Sequence, residues 1–343
     1  MSKKLRFAVI GTGFWANYQI PGWLELEGVE LVAVYNRTRS KAEAIAHKFN
    51  VPHVYDKVQD LLNNEALDFV DIISDVDTHA TFTEMAARKR IPIICQKPMA
   101  PKLHIARQML EACSKMDVPF LIHENWRWQA PIRKVKEILD SHEIGKTFKS
   151  RVTFCTGFPV FDNQPFLAEV DEFILTDIGS HILDVCRFLF GEVRTLQCHT
   201  ASVNPRIKGE DVANVLLGME NGISCFAEMS YASILEYESF PQTFILIEGE
   251  KGSVHLTKDC EIHITTKAGT RVIYAKPNYY TWADPKYGLV HSSIVDCNRN
   301  LLNALAGKAP AETTGRDNFE TVRLVHASYM SAKTNQLIDL NHF

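Results

Sequence analysis

A lysine, an aspartate and a histidine stand where their side chains could move a proton. Lys97 lies in the motif Gln96-Lys97-Pro98 directly after an apolar run, and Asp177 and His181 are four residues apart. Side chains at this spacing share one face of a helix if Thr176 or Asp177 begins it. An imidazole titrating near neutrality can accept a hydroxyl proton, and an ammonium can stabilise the oxygen that loses it. The alternatives are a lysine that is merely solvated, and an aspartate at a helix start followed by a surface histidine. We predict that the three residues form a catalytic group.

A glycine-rich motif near the beginning of the chain has the pattern of a phosphate-binding loop. Gly11-x-Gly13-x-x-Ala16 directly follows the apolar run Leu5–Ile10. The first glycine permits a tight turn, the second lets the backbone approach a pyrophosphate, and the small third residue allows a helix to pack on the strand. The first amides of that helix then face the phosphates. The alternative is a purely structural turn; we predict nucleotide contacts from Gly11, Thr12, Gly13, Phe14 and Trp15.

The segment Tyr35-Asn36-Arg37-Thr38 stands where such a unit usually carries an acidic residue for the adenosine ribose. Asn36 lacks the charge that would repel a 2′-phosphate, and Arg37 could pair with that phosphate. This favours NADP over NAD, although Asn36 can also bond an unphosphorylated ribose and Arg37 could be a solvated residue opening a helix. Further cofactor contacts are predicted at Ser74, His79, Gln96 and Lys97.

Two tryptophans flank an arginine in His123-Glu124-Asn125-Trp126-Arg127-Trp128-Gln129, after the sixth predicted strand. Aromatic faces stack on ring-shaped ligands and a guanidinium bonds their oxygens, so we predict that this segment contacts a polar, ring-shaped substrate. An interdomain hinge packed with aromatic side chains is the alternative. The predicted substrate contacts are Lys97, Asn125, Trp126, Arg127, Phe158, Asn163, Asp177 and His181.

The elements that would position these residues fall into two patterns. Residues 5–123 alternate short apolar runs with helical stretches, and near-continuous apolar runs suit parallel strands buried on both faces. This alternation predicts an α/β fold with a doubly wound parallel sheet of the Rossmann type. The predicted strands are Leu5–Ile10, Val29–Tyr35, His53–Tyr55, Phe69–Ser74, Ile91–Cys95 and Val118–His123.

After Asn125, strands follow one another without helices between them. Turn signals such as Glu220-Asn221-Gly222 separate them, which predicts a large, mostly antiparallel sheet in an α+β domain. We therefore place a cofactor-binding domain at residues 1–123 and a substrate-binding and oligomerisation domain at 124–343. The predicted strands are Thr147–Thr156, Val193–Ala201, Val212–Met219, Ser224–Ser230, Thr243–Glu248, Ser253–Leu256, Glu261–Thr266 and Arg271–Ala275; the predicted helices include Ile132–Ser141, Ser293–Ala306 and Asn318–Lys333.

Composition argues against several classes of partner. The 343 residues are 46% hydrophobic and 23% charged, and a net charge of −4 provides no basic field for nucleic acid. No apolar stretch approaches the ~20 residues needed to cross a bilayer, and the first residues lack the apolar core of a signal peptide. The eight cysteines never form C-x-x-C, and no cluster has zinc-ligand spacing. We predict a cytoplasmic protein without a metal, a nucleic-acid partner or a membrane partner.

Taken in order, these motifs resemble those of the glucose–fructose oxidoreductase / inositol dehydrogenase / MocA (Gfo/Idh/MocA) family. Gly11-x-Gly13-x-x-Ala16, Gln96-Lys97-Pro98 and Asp177-x-Gly179-x-His181-x-x-Asp184 match its pattern over essentially the whole chain. The resemblance implies an NAD- or NADP-dependent dehydrogenase that transfers a hydride to or from a hydroxyl-bearing carbon of a sugar or cyclitol. It also implies that the lysine, aspartate and histidine of these motifs are catalytic. Two segments depart from the family pattern: Gln96 replaces a glutamate, and Ser74-Asp75-Val76 replaces Thr-Pro-Asn.

A narrower resemblance, to the D-apiose dehydrogenase branch, rests on Gln96-Lys97-Pro98, residues 123–129 and Asn163-Gln164-Pro165. It points to an aldose such as D-apiose. Two other functions within the family stay open: a glycosidase that oxidises and re-reduces its substrate on one bound NAD, and a sensor that binds nucleotide without catalysis. We also predict a homodimer or homotetramer formed through the C-terminal sheet.

Overall fold

The computed structural model describes residues 4–343, except for the side chain of Asn163. The signal-peptide prediction rests partly on residues 1–3, which lie outside this range. The chain divides into two compact units. The first contains the chain up to Asn125 together with Tyr279–Pro285 and His291–Val322, and the second contains Trp126–Asn278, Lys286–Val290 and Arg323–Phe343. Within residues 4–343, no helix has both the length and the apolar character needed to cross a membrane.

The first unit is built on a parallel sheet, as the alternating apolar runs predict. Its described strands are β1 (Leu5–Ile10), β2 (Val29–Tyr35), β3 (His53–Tyr55), β4 (Phe69–Ile72), β5 (Ile93–Gln96) and β6 (Phe120–His123). The helices between them are α1 (Ala16–Leu24), α2 (Arg39–Phe49), α3 (Val58–Asn64), α4 (Val76–Arg88) and α5 (Leu103–Lys115). The strand order is β3-β2-β1-β4-β5-β6, and the described pairs are parallel. The prediction of a doubly wound Rossmann-type sheet is confirmed.

Burial on both faces explains the near-continuous apolar runs in these strands. Phe7 and Val9 on one face of β1 and Ile10 on the other are fully buried, and the rings of Phe7 and Phe69 on β4 stack with centroids 4.8 Å apart. Each buried side chain of this size stabilises the fold by about 1.5–3 kcal/mol. This core holds the carboxyl ends of β1, β2, β4, β5 and β6 at one edge of the sheet, the edge where ligands bind in open parallel sheets.

Residues far along the chain complete the first unit. The carbonyl of Thr313 accepts a hydrogen bond from Ile122 N at 2.8 Å, and its hydroxyl donates to Ile122 O at 2.7 Å. Phe319 and Val322 belong to the same hydrophobic cluster as the side chains of the sheet. The outer edge of β6 is therefore paired by a residue 191 positions later in the sequence.

The second unit contains a nine-stranded sheet in the described part of the chain. Its strands are β7 (Thr147–Cys155), β8 (Val193–Ala201), β9 (Val212–Met219), β10 (Ser224–Ser230), β11 (Phe244–Gly249), β12 (Gly252–Leu256), β13 (Glu261–Thr266), β14 (Gly269–Tyr274) and β15 (Ile338–Asp339). They lie in the order β14-β13-β12-β11-β7-β10-β9-β8-β15, and β7 and β10 pair in parallel whereas the other described pairs are antiparallel. The predicted α+β architecture with a mostly antiparallel sheet is confirmed.

Helices cover one face of this sheet. The helices of the later chain are α6 (Ala130–Asp140), α7 (Val160–Asn163), α8 (Ser180–Phe190), α9 (Gly288–Leu305) and α10 (Gly315–Thr334). α8 contacts β7 and β10, and α6 contacts β12 and β13. On β9 the residues Ala213, Val215 and Leu217 are buried, whereas Leu216, which points the other way, is exposed. This alternation is the period-2 pattern of a strand with one packed face.

Candidate active site

The loop after β1 combines a tight turn with open space at the start of α1. Gly11 has φ +114° and donates to Tyr35 O at 2.9 Å, and a Cβ there would lie 2.6 Å from Ile73 O. At Gly13, a Cβ would meet no atom of the described residues within 4 Å, and Ala16 at the start of α1 is fully buried. The crowding at Gly11 requires glycine, and the open space at Gly13 fits the approach of a pyrophosphate to the first amides of α1.

Asn36 and Arg37 follow β2 at the same edge of the sheet. Asn36 Nδ2 donates to Thr12 Oγ1 at 2.9 Å, and Asn36 Oδ1 accepts from Thr38 N at 2.9 Å. Arg37 Nη2 lies 3.8 Å from Asp75 Oδ2, and both side chains are largely exposed. Asn36 is therefore hydrogen-bonded to the glycine loop that follows β1, and the Arg37 guanidinium lies beside a carboxylate. Direct contacts of Asn36 and Arg37 with a cofactor stay predictions.

His79 connects the loops that follow β4 and β5. Its Nδ1 lies 3.1 Å from Pro98 O, and its Nε2 lies 3.0 Å from Ser74 O. The ring is only 1% exposed, and burial lowers the pKa of His79. Ser74 Oγ is also within 2.7 Å of Thr78 Oγ1. His79 thus contacts the backbone carbonyls of Ser74 and Pro98 and joins the two loops. A direct contact of His79 or Ser74 with the cofactor stays a prediction.

Gln96 and Lys97 stand at the end of β5. Gln96 Oε1 accepts a hydrogen bond from Lys97 N at 2.7 Å, and Gln96 Nε2 donates to Gln19 Oε1 at 2.9 Å. Gln96 is buried, and Lys97 is half-buried. The glutamine that replaces the usual family glutamate therefore has structural partners on both ends of its amide. Its predicted contact with a cofactor is not tested by these bonds.

Asp177 lies on a π-helical turn, Leu175–Gly179, that continues into α8. The helical backbone therefore begins earlier than the predicted start at Thr176 or Asp177. π-helical turns are rare in proteins, and those that occur are often found at functional sites. The hydroxyl of Tyr231 donates to Asp177 Oδ2 at 3.3 Å, and burial together with this carboxylate raises the pKa of Tyr231. Tyr231 is a site residue that the sequence patterns did not indicate.

His181 is held against the face of Trp126. The two rings stack with centroids 4.4 Å apart and an interplanar angle of 23°, and both residues are buried. Trp126 Nε1 donates to Thr243 Oγ1 at 3.0 Å, which fixes the rotation of the indole. One face of Trp126 is therefore covered by the imidazole, and a contact of Trp126 with substrate stays a prediction.

Arg127 forms a buried ion pair with Asp184 on α8. Arg127 Nε lies 2.7 Å from Asp184 Oδ2, and Arg127 Nη2 lies 2.6 Å from Asp184 Oδ1. The guanidinium also lies 5.4 Å from the centroid of the Phe188 ring. This bidentate geometry joins the turn Trp126–Trp128 to the helix that carries His181. The predicted contact between Arg127 and substrate is not tested by the structure.

The other predicted substrate residues are spread over both units. Phe158, in the second unit, stacks on Phe240 with centroids 3.9 Å apart, and its ring meets the edge of Tyr287 at 5.9 Å. Asn125, in the first unit, donates to Ser293 Oγ at 2.8 Å. The side chain of Asn163 lies outside the described residues, so the prediction made for it is not addressed.

Glu210 caps the helix that begins at the π-helical turn. Its carboxylate oxygens accept hydrogen bonds from two backbone amides of that segment and its main-chain carbonyl from a third, each at 3.2 Å. The hydroxyl of Tyr329 accepts from the fourth amide at 3.2 Å and donates to Glu210 Oε1 at 2.8 Å. An anionic cap of this kind satisfies the orphan donors of a helix start. The four amides belong to Phe173, Ile174, Leu175 and Thr176.

The predicted residues assemble within each unit separately. The first unit gathers its set at the carboxyl edge of the parallel sheet, namely residues 11–15, Asn36, Ser74, Gln96 and Lys97. The second gathers Asp177 and His181 on one helix. The joint action of Lys97 with that pair therefore stays a prediction. Among the described residues, no group of three or more His, Cys, Asp and Glu side chains is arranged to hold a metal ion.

Two family models match the chain. The model described as an oxidoreductase family with an NAD-binding Rossmann fold matches residues 5–123, and the GFO/IDH/MocA C-terminal domain matches residues 132–255. Together they cover most of the chain.

The chain is similar to other proteins over nearly its full length. The chain is 37% identical to a D-apiose dehydrogenase of Rhizobium rhizogenes over 98% of each chain. It is 38% identical to a D-apiose dehydrogenase of Paraburkholderia graminis, over 98% of this chain and 90% of that protein. A crystal structure of an oxidoreductase from Agrobacterium radiobacter in complex with NAD+, L-tartaric acid and magnesium superposes with a TM-score of 0.97. That protein is 37% identical, and 99% of each chain is covered.

Proposed function

Because the chain belongs to the Gfo/Idh/MocA family of NAD-binding oxidoreductases, we propose that it is a dehydrogenase of sugars or cyclitols. It would transfer a hydride between nicotinamide and a hydroxyl-bearing carbon. Two similar proteins are named D-apiose dehydrogenases, so D-apiose is the first substrate to test. The observation that best supports the proposal is that His181, which lies on the same helix as Asp177, stacks its imidazole on Trp126.

Oxidation of a hydroxyl-bearing carbon removes a hydride from the carbon and a proton from its oxygen. His181 would accept the proton, and its stacking on Trp126 limits the rotation of the ring, so that the accepting nitrogen keeps its direction. Asp177, which accepts a hydrogen bond from Tyr231, would orient the substrate hydroxyls or the imidazole. Lys97 would bond the reacting oxygen and stabilise its partial negative charge.

The residues after β1, β2, β4 and β5 fit a nicotinamide dinucleotide. The open space at Gly13 and the start of α1 suit the pyrophosphate, and the segment after β2 suits the adenosine ribose. A bound nicotinamide supplies the carbon that accepts the hydride. In this proposal, as in the prediction from the sequence, residues 1–123 would bind the cofactor and residues 124–343 would bind the substrate.

The preference between NAD and NADP would depend on Arg37. A guanidinium at this position would pair with a 2′-phosphate, which supports the preference for NADP drawn from the sequence. Asp75 opposes it, because its carboxylate lies 3.8 Å from the same guanidinium and would repel a phosphate dianion. Arg37→Ala should raise the Michaelis constant for NADP more than that for NAD. Equal changes for both cofactors would contradict the assignment.

Two further proposals concern assembly and compartment. Apolar side chains on the uncovered face of the large sheet, such as Leu216, Val272 and Tyr274, would be buried in a homodimer or homotetramer. Light scattering at micromolar concentration tests this, and a monomer would contradict it. The cysteines of residues 4–343 are free, which supports a reducing compartment such as the cytoplasm.

The reaction is tested by a substrate screen. Purified protein is mixed with NAD or NADP and with D-apiose, other aldoses, ketoses, cyclitols and sugar acids, and reduction of the nicotinamide is followed by absorbance. We expect reduction with at least one sugar or cyclitol. Hydrolysis of an aryl glycoside without net cofactor reduction would identify the glycosidase instead, and cofactor binding without turnover would identify the sensor.

Variants then test the residues. Lys97→Met and His181→Ala should each lower turnover by at least ~10²-fold while the chain still binds cofactor. The exposed residues Lys102 and His104 offer matched controls, because Lys102→Met and His104→Ala make the same chemical changes outside the site. Wild-type turnover in Lys97→Met or His181→Ala would refute the roles proposed here.

A further inference from the structure

A row of buried polar side chains runs from the core of the first unit to the backbone of Lys97. Gln19 Nε2 donates to both carboxylate oxygens of Asp71, at 2.9 and 2.8 Å, and Trp23 Nε1 donates to Asp71 Oδ2 at 2.7 Å. Gln96 Nε2 donates to Gln19 Oε1 at 2.9 Å, and Gln96 Oε1 accepts from Lys97 N at 2.7 Å. Asp71 and Gln19 are fully buried, and Gln96 is nearly so.

The carboxylate at one end fixes the direction of every bond in this row. An ionised aspartate only accepts hydrogen bonds, so Gln19 must turn its NH2 group towards Asp71 and its oxygen towards Gln96. Gln96 must then turn its NH2 group towards Gln19, which leaves its oxygen for the Lys97 N–H. Each amide has one orientation that satisfies both of its neighbours.

We propose that Gln96 is a positioning residue for the lysine that ends β5, and that Asp71 dictates its identity. Through its bond to the Lys97 N–H, Gln96 holds the peptide plane from which the lysine side chain leaves the strand. The inference rests on the proposed catalytic role of Lys97. It also gives a physical reason for glutamine at a position where the family usually has glutamate.

A glutamate at position 96 is incompatible with the rest of the row. Its carboxylate could accept from Lys97 N, but its other oxygen would face Gln19 Oε1, which is also an acceptor, at the 2.9 Å now spanned by the amide bond. His123 Nδ1 lies farther away, 3.5 Å from Gln96 Nε2, and a bond from it would not remove that contact. At pH 8, above the pKa of about 7 of Asp71, an inverted Gln19 would turn its oxygen towards an ionised carboxylate, so the clash between acceptors would only move one step. Unpartnered acceptors in a buried row are costly because no water replaces the lost bond.

An asparagine at position 71 removes this conflict. Its oxygen can still accept from Trp23 Nε1, and its NH2 group can donate to the oxygen of an inverted Gln19. The inverted Gln19 then donates to the carboxylate introduced at position 96. Every group of the reversed row has a partner once the Gln19 oxygen turns from the Oδ2 position, 2.8 Å away, towards the new NH2 group at the Oδ1 position. Gln96→Glu and Asp71→Asn should therefore each be harmful alone and compensate for one another when combined.

The test is a double-mutant cycle of Gln96→Glu and Asp71→Asn. The wild type, both single variants and the double variant are assayed at pH 8, above the pKa of about 7 to which burial raises Asp71. Turnover is measured with D-apiose, or with the aldose or cyclitol that the wild type oxidises fastest. Thermal unfolding is measured on the cofactor-free chain. Gln59→Glu, an exposed glutamine, is the matched control for the charge change.

We expect Gln96→Glu to lower kcat at least 10-fold, a larger factor than the change in the KM for the cofactor. The double variant should regain at least 5-fold in kcat over Gln96→Glu and should unfold at a higher temperature than that variant. If Gln96→Glu does not fold, a folded double variant supports the proposal, and an unfolded one overturns it. Wild-type kcat in Gln96→Glu, or no recovery in the double variant, also overturns it.

These results separate the inference from the proposed function. If Lys97→Met leaves turnover unchanged, the role of the lysine is wrong and the positioning claim falls with it. The coupling between positions 71 and 96 is read independently from the four unfolding temperatures, because those need no substrate. Coupling in stability together with an unaltered kcat in Gln96→Glu would mean that the row serves only the fold.

Discussion

Removing the Arg127 guanidinium should destabilise the second unit strongly. The guanidinium and the Asp184 carboxylate are 6% and 0% exposed, and two parallel bonds of 2.7 and 2.6 Å join them. Taking one charge away from a buried ion pair costs about 3–5 kcal/mol, because the other charge stays in a medium that solvates it poorly. For a unit of this size, the unfolding midpoint should fall by about 6–20 °C.

Three variants separate charge, geometry and volume. Arg127→Met keeps most of the side-chain volume and should show the full loss. Arg127→Lys keeps the charge, but one ammonium cannot form both parallel bonds, so its midpoint should lie between those of Arg127→Met and the wild type. Combining Arg127→Met with Asp184→Leu should recover most of the loss, because an apolar pair needs no countercharge.

An exposed pair with the same geometry provides the control. Arg271 bonds Glu143 through Nε at 3.1 Å and Nη2 at 2.6 Å, but both side chains are solvated. Arg271→Met should leave the midpoint nearly unchanged, since water replaces the lost partner. Unfolding is followed by circular dichroism and calorimetry without cofactor. A midpoint for Arg127→Met within 2 °C of the wild type, with a raised KM for substrate, would show that the guanidinium serves the substrate rather than the fold.

Three other perturbations test separate parts of the structure. Asp75→Asn should raise kcat/KM for NADP relative to NAD several-fold, because Arg37 loses a competing carboxylate; an unchanged ratio would argue against this pairing. Glu210→Gln places an NH2 group against a helix amide, so it should lower the free energy of unfolding, measured by chemical denaturation, by about 1–3 kcal/mol. It should also lower kcat more than the control Glu192→Gln, which alters an ion pair at the other end of α8. Burial raises the pKa of Asp71 from 3.8 to about 7, so the folded chain holds a proton that the unfolded chain lacks between about pH 4 and 7. Stability should therefore fall as pH rises through that window, and Asp71→Asn should flatten the dependence measured from pH 4.5 to 8.

Much of the fold could be predicted from periodicity alone. The parallel strands carry continuous apolar runs because both of their faces are buried, and the antiparallel strands alternate because one face is packed. β15 was not predicted because a strand of two residues is too short to show an alternation of apolar and polar side chains. No pattern indicated that His291–Val322 belongs to the first unit, since its apolar helical periodicity shows that one face is buried but not against which partner.

Candidate site residues could be predicted where chemistry needs particular residue types at short spacing. The glycine loop and the pair Asp177 and His181 are local patterns, readable without tertiary structure. Glu210 and Tyr231 were not predicted because each reaches its partner from a loop that is distant in sequence, Glu210 just before β9 and Tyr231 just after β10. Aromatic composition around Trp126 indicated a ligand platform, but only packing revealed that one of its faces carries the imidazole.

The pairing of Ile122 with Thr313 has a consequence for synthesis on the ribosome. The two residues are 191 positions apart, so at about 5–20 residues per second β6 waits roughly 10–40 s for its partner. During that interval the outer edge of β6 lacks this partner, and the cluster of the first unit lacks Phe319 and Val322. An open strand edge is a template for wrong pairing. The first unit is therefore completed only after residue 322 has been translated, and nascent chains that end before this residue should depend most on chaperones.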